Sequence, residues 1–537
     1  MNRPYHIKAV LFDFDGTLTR PGAIDFALIR SRIGCPADIA ILEFIETLSD
    51  ARQRREAIAE VHRHEIAAAA ESTPNTGAEA LIVDLKAMGL KVGVISRNSR
   101  VAIERALENF KHTTAQDFDL VISRDAPVAP KPEPDGILDA AGHFAARAEE
   151  ILVVGDFIFD IQAGQRAGAL TAFITNGEET VVPEKADFTI HQLADLLPLV
   201  RMGIPLAAGK LPQHHLDAFL AEFECEDPSV LIWPGVGEDT AAVDVKKEDV
   251  LVLTSDPITF ATDAIGEYAV LVNANDVATS GAMPRWLLTT LLFPVGATAS
   301  MVRYVMTELA AVCRRCGITL CGGHTEISDA VTRPVVTGML AGTVSRDRLL
   351  DKKQMRPGDH ILLTKGVAVE GTAIIAREFE DLLSDRGVSE RTIEKAKGLL
   401  SRISVLPEAR IAAQIDGVSA MHDVTEGGLA TALEELSIAG KFGMEVQVPQ
   451  IPVLPETRAV CGPLDIDPLG LIGSGSLLIC CRPQVSEHLQ HRFESAGIDA
   501  ARIGTVTDGV PGIAAMDGEA ITSWPRFAVD EIARLFA

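Results

Sequence analysis

Two aspartates, Asp13 and Asp15, stand one residue apart in DFDGT, directly after the apolar run IKAVLF at 7–12. In an open parallel sheet the reactive crevice lies just past the carboxyl ends of strands, and this spacing lets both carboxylates reach it. Such a pair can hold Mg²⁺ while one carboxylate attacks phosphorus and the other moves protons. An Asx-rich turn closing a strand is the plainer reading of Asp-Gly. Three further signals weigh against it. Ser96 closes VGVIS and offers a hydroxyl and a backbone N–H to a phosphate oxygen. Lys131, in the Pro-rich APKPEPDG, would fix an ammonium near the phosphoryl oxygens. Asp156 and Asp160 in GDFIFD end another apolar strand and add oxygen ligands for a hard cation.

A second set runs through the middle of the chain, which contains no G-x-x-x-x-G-K-[ST] loop. GVGEDTAAV puts Asp239 in a glycine-rich turn, and VLVLTSD ends in Asp256. VNANDVATSGAMP sets Asn275 and Asp276 at the start of a small-residue turn. CGGHTEIS bares backbone at Gly322 and Gly323. Separated carboxylates beside open glycine backbone suit Mg²⁺ on a polyphosphate. Asp276 as a helix cap is the structural alternative. Cys313, Cys316 and Cys321 have no fourth ligand and no second C-x-x-C, and read as ordinary core and helix-end residues.

Strands alternate with helices through the first 175 residues: 7–12, 91–96, 119–123, 150–156 and 170–175, with helical spacing of apolar residues over 24–70 and 77–88. That rhythm means a parallel α/β sheet. It is lost over 176–188, so the first domain is expected to span 1–190, with a helical cap at about 20–80. Strands 250–256 and 334–345 belong to a second region, 205–348, and the turn-rich MRPGDH opens a third, 355–530. The fold class is α/β: a Rossmann-like first domain followed by a two-part α+β region.

The net charge of −26 argues against nucleic acid and anionic membrane as partners. Eight scattered cysteines point to a reducing compartment. The longest uncharged apolar stretch, Trp286 to Val302, contains Pro294 and Gly296 and reads as core. With no leader-like N-terminus, a cytoplasmic location is expected.

The ordered set Asp13, Asp15, Ser96, Lys131, Asp156 resembles the haloacid-dehalogenase-like hydrolase superfamily over residues 1 to about 185, with a cap like that of phosphoglycolate-phosphatase-type members. The resemblance implies that Asp13 is the nucleophile forming an aspartyl-phosphate and Asp15 the general acid/base. It implies that Ser96 and Lys131 bind the phosphoryl group, and that Asp13, Asp15 and Asp156, supported by Asp160, serve the Mg²⁺. His62, Arg63 and His64 in the cap become candidates to touch a small phosphorylated metabolite, with a solvated helix face as the alternative.

Residues 205–525, including HDVTEGGLATALEEL at 422–436 and DPLGLIGSGSLLICC at 467–481, resemble the aminoimidazole-ribonucleotide-synthetase-like (PurM-like) superfamily, nearest its hydrogenase-maturation HypE type. That implies metal–ATP at Asp239, Asp256 and Asp276, phosphates along Asn275, Gly322, Gly323 and His324, a substrate pocket at Asp423, and a homodimer. His324 stands where the HypE type usually carries an acid. The sequence ends EIARLFA, where those dehydratases carry the carbamoyl group on a terminal cysteine. The expected function is therefore a Mg²⁺-dependent phosphomonoesterase fused to an ATP-dependent synthetase or kinase-like unit. The alternatives are a nucleotide-binding regulatory or dimerisation module, and a hydrogenase-maturation accessory protein.

Overall fold

The computed structural model describes residues 3–178, 186–222, 227–235, 240–261 and 263–536. The chain forms two compact units. The first comprises Met1–Leu206 together with Gly296–Tyr304, and the second the remainder.

The first unit is built on strands β1 (Ala9–Phe12), β2 (Lys91–Ile95), β3 (Leu120–Ile122), β4 (Ile151–Gly155), β5 (Leu170–Ile174) and β6 (Phe188–Ile190). They pair in parallel in the order β3-β2-β1-β4-β5-β6. The order reverses at β1, so the crevice opens past the carboxyl ends of β1 and β4. Successive side chains point to opposite faces. Val10, Phe12, Val92 and Val154 pack against helices Ala78–Ala87 and Arg100–Leu107, while Ala9, Leu11 and Val153 pack against helices Asp135–Phe144 and Ile158–Ala167. Burial on both faces is why these strands read as unbroken apolar runs. Between β1 and β2 the chain forms the cap, α1 (Phe26–Ile33), α2 (Ile41–Thr47) and α3 (Ala51–Glu71). The cap has its own small core of Ile29, Ile45, Ala57 and Val61.

The second unit contains β7 (Gly209–Lys210), a hairpin of β8 (Val230–Ile232) and β9 (Ala242–Val243), β10 (Asp249–Ile258), β11 (Met283–Pro294), β12 (Thr319–Ser328) and β13 (Val335–Ser345). One sheet runs β10-β13-β11-β12-β7. A second, of seven strands, comprises β14 (His360–Thr364), β15 (Val418–Asp423), β16 (Gly443–Gln447), β17 (Leu477–Cys481), β18 (Ala500–Thr507), β19 (Gly512–Asp517) and β20 (Ala520–Thr522), in the order β15-β17-β14-β18-β16-β19-β20.

Three sequence expectations change here. VNANDVAT is no turn: Asn275 and Asp276 lie in the last turns of helix Ile265–Thr279. That helix packs on β10 and β13 and also meets β15, and it is buried on nearly every side. A helix enclosed by neighbours carries no polar face, so its sequence lacks the helical period. CGGHTEIS is no loop but strand β12. A Cβ on Gly323 would lie 2.0 Å from the Thr289 carbonyl oxygen of the adjoining strand, so strand packing alone demands glycine there. Asp256 lies within β10 and does not end it.

Candidate functional site

In the first unit the two carboxylates leave β1 at a sharp turn. Asp13 N–H still donates to the Val154 carbonyl oxygen, as a continuation of the sheet. Gly16 follows at φ +77°, and a Cβ there would sit 2.1 Å from Asp156 Oδ2. DxDG is thus required both by the turn and by the carboxylate that packs against it.

The site gathers from four chain segments around one cavity of about 380 Å³, lined among others by Asp13, Asp15, Ser96, Lys131, Asp156 and Asp160. Lys131 is buried, and its Nζ donates to Asp13 Oδ1 and Asp160 Oδ1, each at 2.5 Å. Phe157 N–H takes the other oxygen of Asp160 at 3.1 Å. Thr17 Oγ1 donates to Asp156 Oδ1 at 3.5 Å. Asn98 Nδ2 donates to Asp15 Oδ2. Ser96 contributes only its hydroxyl, because its backbone N–H donates to the Ile122 carbonyl at 2.9 Å.

Asp13 and Asp160 share one ammonium with Asp156 close by, and the titrations follow from that. Burial pushes the Asp13 carboxyl well up, with Asp156 and Asp160 adding to it and Lys131 opposing. Burial, then the Asp160 charge, lifts Asp156 to about 7. Burial lifts Asp15 to about 6, against the Asn98 hydrogen bond. Lys131 is raised too, for the opposite reason: its burial works against the charged form, but its two carboxylate partners outweigh it and hold it protonated. The cation is over-supplied with partners and each anion under-supplied, which is the electrostatic setting a second, divalent cation would relieve. Among the described residues, Asp13, Asp156 and Asp160 are the one group of acids, histidines or cysteines whose ligand atoms all lie within 4.8 Å of one another. An all-oxygen donor set of this kind fits Mg²⁺.

The cap candidates fall differently from expectation. Arg63 is exposed and pairs with Glu60, His64 also meets Glu60, and His62 Nδ1 faces Ser99 Oγ at 3.2 Å. The cavity is lined instead by Val61 and Glu65 on the next face of α3. Sequence reasoning missed Asn98 and Arg97. Their signal was the polar cluster SRNSR directly after β2. Arg97 grips Glu43 of α2 through two hydrogen bonds of 2.6 and 2.7 Å, and Arg124 pairs with Glu65 of α3, so two ion pairs hold the cap on the sheet domain.

In the second unit Asp239 lies outside the described residues. Asp256 and Asp276 come together: Thr254 Oγ1 donates to Asp276 Oδ2 at 2.8 Å and to Asp256 Oδ2 at 3.5 Å. Burial, a hydrogen bond with Asp256 and the charge of Asp423 lift the Asp276 carboxyl to about 9. Asp423 ends β15, is buried, and its Oδ2 has no hydrogen-bond partner among the described residues. Its Oδ1 lies 3.7 Å from His422 Nδ1. Two sheets therefore contribute to one acidic centre. Asn275 does not open onto it: the side chain is fully buried, donating to the Ile403 carbonyl and accepting from Val405 N–H at 2.8 Å. His324 is exposed on β12 beside Glu326. Its register partner is Thr290, one residue beyond the row that joins Asp256, Gly338, Thr289 and Gly323, so it belongs to the opposite face of the sheet from Asp256. Cys313 and Cys321 are buried and Cys316 half-buried at the end of helix Ala299–Cys316.

Comparison with known proteins agrees with both halves. Residues 10–174 match the haloacid dehalogenase-like hydrolase model, residues 237–344 the N-terminal domain of AIR synthase related protein, and residues 356–515 its C-terminal domain. An uncharacterized hydrolase of Saccharomyces cerevisiae is 30% identical over 201 residues, covering 36% of this chain and 92% of the yeast protein. Carbamoyl dehydratase HypE of Azotobacter vinelandii is 30% identical over 259 residues, covering 47% and 72% of the two chains. That of Cupriavidus necator is 29% identical over 314 residues, covering 56% and 83%. A crystal structure of Escherichia coli HypE, at 25% identity, superposes with a TM-score of 0.52 and covers 60% of this chain and all of that one. The chain belongs to the haloacid-dehalogenase-like hydrolases through its first unit and to the AIR-synthase-related proteins of the HypE type through its second.

Proposed function

We propose that the first unit is a Mg²⁺-dependent phosphomonoester hydrolase working through an aspartyl-phosphate on Asp13. The observation that carries this is the convergence of Asp13, Asp15, Ser96, Lys131, Asp156 and Asp160 on one cavity. When bound, the cation screens the phosphoryl charge; Asp13 and Asp156 would hold it, with Asp160 positioned by Lys131 and Phe157 N–H. Lys131 occupies Asp13 Oδ1, and Oδ2 carries no hydrogen bond among the described residues. Oδ2 attacks phosphorus, the bond from phosphorus to the ester oxygen breaks, and Asp15 protonates that oxygen as the alcohol leaves. Asp15 then takes a proton from water, whose oxygen attacks phosphorus and releases phosphate from Asp13. Ser96 Oγ and Lys131 Nζ, both on the cavity wall, would donate to the phosphoryl oxygens. Hydrolysis of p-nitrophenyl phosphate by the full chain with Mg²⁺ tests this; no turnover refutes it.

For the second unit we propose an ATP-dependent enzyme whose metal–nucleotide is held by Asp256 and Asp276, with Asp423 reaching in from the second sheet; the resemblance adds Asp239, which lies outside the described residues, and Gly322 and Gly323. The buried Asp423 Oδ2, without a hydrogen-bond partner among the described residues, supports a cationic ligand there. The likeness to carbamoyl dehydratases supports a more specific reading, dehydration of a carboxamide in hydrogenase maturation. Cys480 and Cys481 do not serve as its nucleophile, because both are fully buried and burial raises their thiols well above the usual range. We also propose a homodimer through the outer face of the first sheet. Leu251, Leu253, Met283 and Met339 lie on that face in neighbouring register and are 43%, 61%, 60% and 40% exposed.

A further inference from the structure

Above its carboxylates the cavity of the first unit is apolar. Ile24, Phe26, Ile29, Ile41, Leu42 and Val61 line its cap side. Phe157 and Phe159 face them from the sheet domain, packed edge to face with centroids 5.0 Å apart. Phe26 and Phe157 are each 57% exposed, unusual for side chains that normally bury their rings.

The polar groups that reach this part of the wall are already engaged. Glu65 is taken by Arg124, and Arg97 by Glu43 with its guanidinium over the Phe159 ring. Arg30 donates to the carbonyls of Pro36 and Ile39, holding the loop after α1. Arg20 is open to water and adds no buried partner. Apart from the exposed Arg20, a hydroxyl-rich group placed here would give up its water against apolar side chains and polar groups that already have partners. A ring or branched alkyl group would instead cover exposed aromatic surface. The volume of about 380 Å³ is near the lower end of small-molecule pockets, roughly 300–1,000 Å³, which favours a small ester over a phosphorylated macromolecule.

We infer that the substrate class is the phosphomonoester of a small apolar alcohol carrying a ring-sized or branched group, and that polyhydroxy phosphates are discriminated against. This rests on the hydrolase reading above.

The test compares kcat/KM of the full chain, with Mg²⁺, for benzyl phosphate and glycerol 3-phosphate, both of which release an alkoxide. Benzyl phosphate is expected to be favoured at least tenfold, carried mainly by KM. Asparagine at the half-buried Ile41 (Ile41→Asn) should cut that ratio threefold or more. A ratio of one or less with both esters turned over, or a ratio that Ile41→Asn leaves unchanged, overturns the inference while hydrolysis stands. Calorimetry on Asp13→Asn with benzylphosphonate and 2-hydroxyethylphosphonate reads the same preference without turnover. Tenfold tighter benzylphosphonate binding supports the ligand class even where no ester is hydrolysed, in which case only the hydrolase reading falls. Equal affinities overturn the ligand class.

Discussion

Replacing Lys131 by Met keeps the side chain's length and removes one buried ammonium. Its side chain is 3% exposed, and those of its partners Asp13 and Asp160 are 13% and 2% exposed. Removal leaves Asp160 with Phe157 N–H as its one remaining donor among the described residues. Taking one partner from a buried ion pair costs about 3–5 kcal/mol. At 1.36 kcal/mol per tenfold, that is roughly two to nearly four orders of magnitude in the opening equilibrium. All three tryptophans lie in the second unit, so fluorescence would not report this change. Amide exchange in the central strand β1, whose four residues are fully buried, does report it. Faster exchange of β1 by about that factor is expected at pH 7. The sign with pH is also fixed. The Asp13 carboxyl is raised by burial and loses its opposing ammonium, so its cost is present once it must ionise and shrinks as pH falls toward its unfolded value. The variant should therefore approach the parent near pH 4. Adding Asp160→Asn should recover part of the loss, a coupling of about 0.5–3 kcal/mol. Exchange within threefold of the parent at pH 7, or a loss that does not shrink at low pH, would refute the shared-ammonium account.

In the second unit Asp276 is raised to about 9 and holds its proton at pH 7. Binding of Mg²⁺-ATP should then release about one proton, seen as a buffer-dependent enthalpy, and Asp276→Asn should abolish that release. Glu370 is fully buried and raised by burial to about 7. A raised carboxyl contributes its full stability below its unfolded value of 4.5 and loses it as pH rises toward 7. The loss is about 3 kcal/mol. Glu370→Gln, which keeps the acceptor for Ser474 N–H, should make the second unit more stable than the parent at pH 8 and similar at pH 4.5, by urea unfolding followed through tryptophan fluorescence. Leu253→Lys should convert a dimer to a monomer in sedimentation at micromolar concentration; an unchanged mass would move the interface elsewhere.

What could be read in the sequence tracks how local its cause is. Strands β1, β2, β4 and β5 are buried on both faces and bounded by polar turns, so their composition announces them, and the residues at their ends follow. The cap appeared through its helical spacing. Helix Ile265–Thr279 did not, because enclosure by two layers removes the polar stripe that marks a helix. Gly322 and Gly323 looked like a ligand loop, although at Gly323 the neighbouring strand's Thr289 carbonyl is enough to require glycine. On α3, His62 and His64 drew attention by residue type. Which face of a helix meets a cavity depends on packing, and it is Val61 and Glu65 that do so. Nothing in the local sequence places Gly296–Tyr304 with the first unit. Thr298 and Ser300 hydroxyls donating to the Tyr5 carbonyl set it there across almost three hundred residues.

The most direct test of the central claim is the fate of the phosphoryl group. With Mg²⁺ and p-nitrophenyl phosphate, rapid acid quench of the full chain followed by borohydride reduction and mass spectrometry should find the label at Asp13 and no other carboxylate. Asp13→Asn should turn over at less than about a tenth of the parent rate, a barrier increase above about 1.4 kcal/mol. A trapped adduct on another residue, or an Asp13→Asn variant that keeps the parent's kcat, would contradict the account.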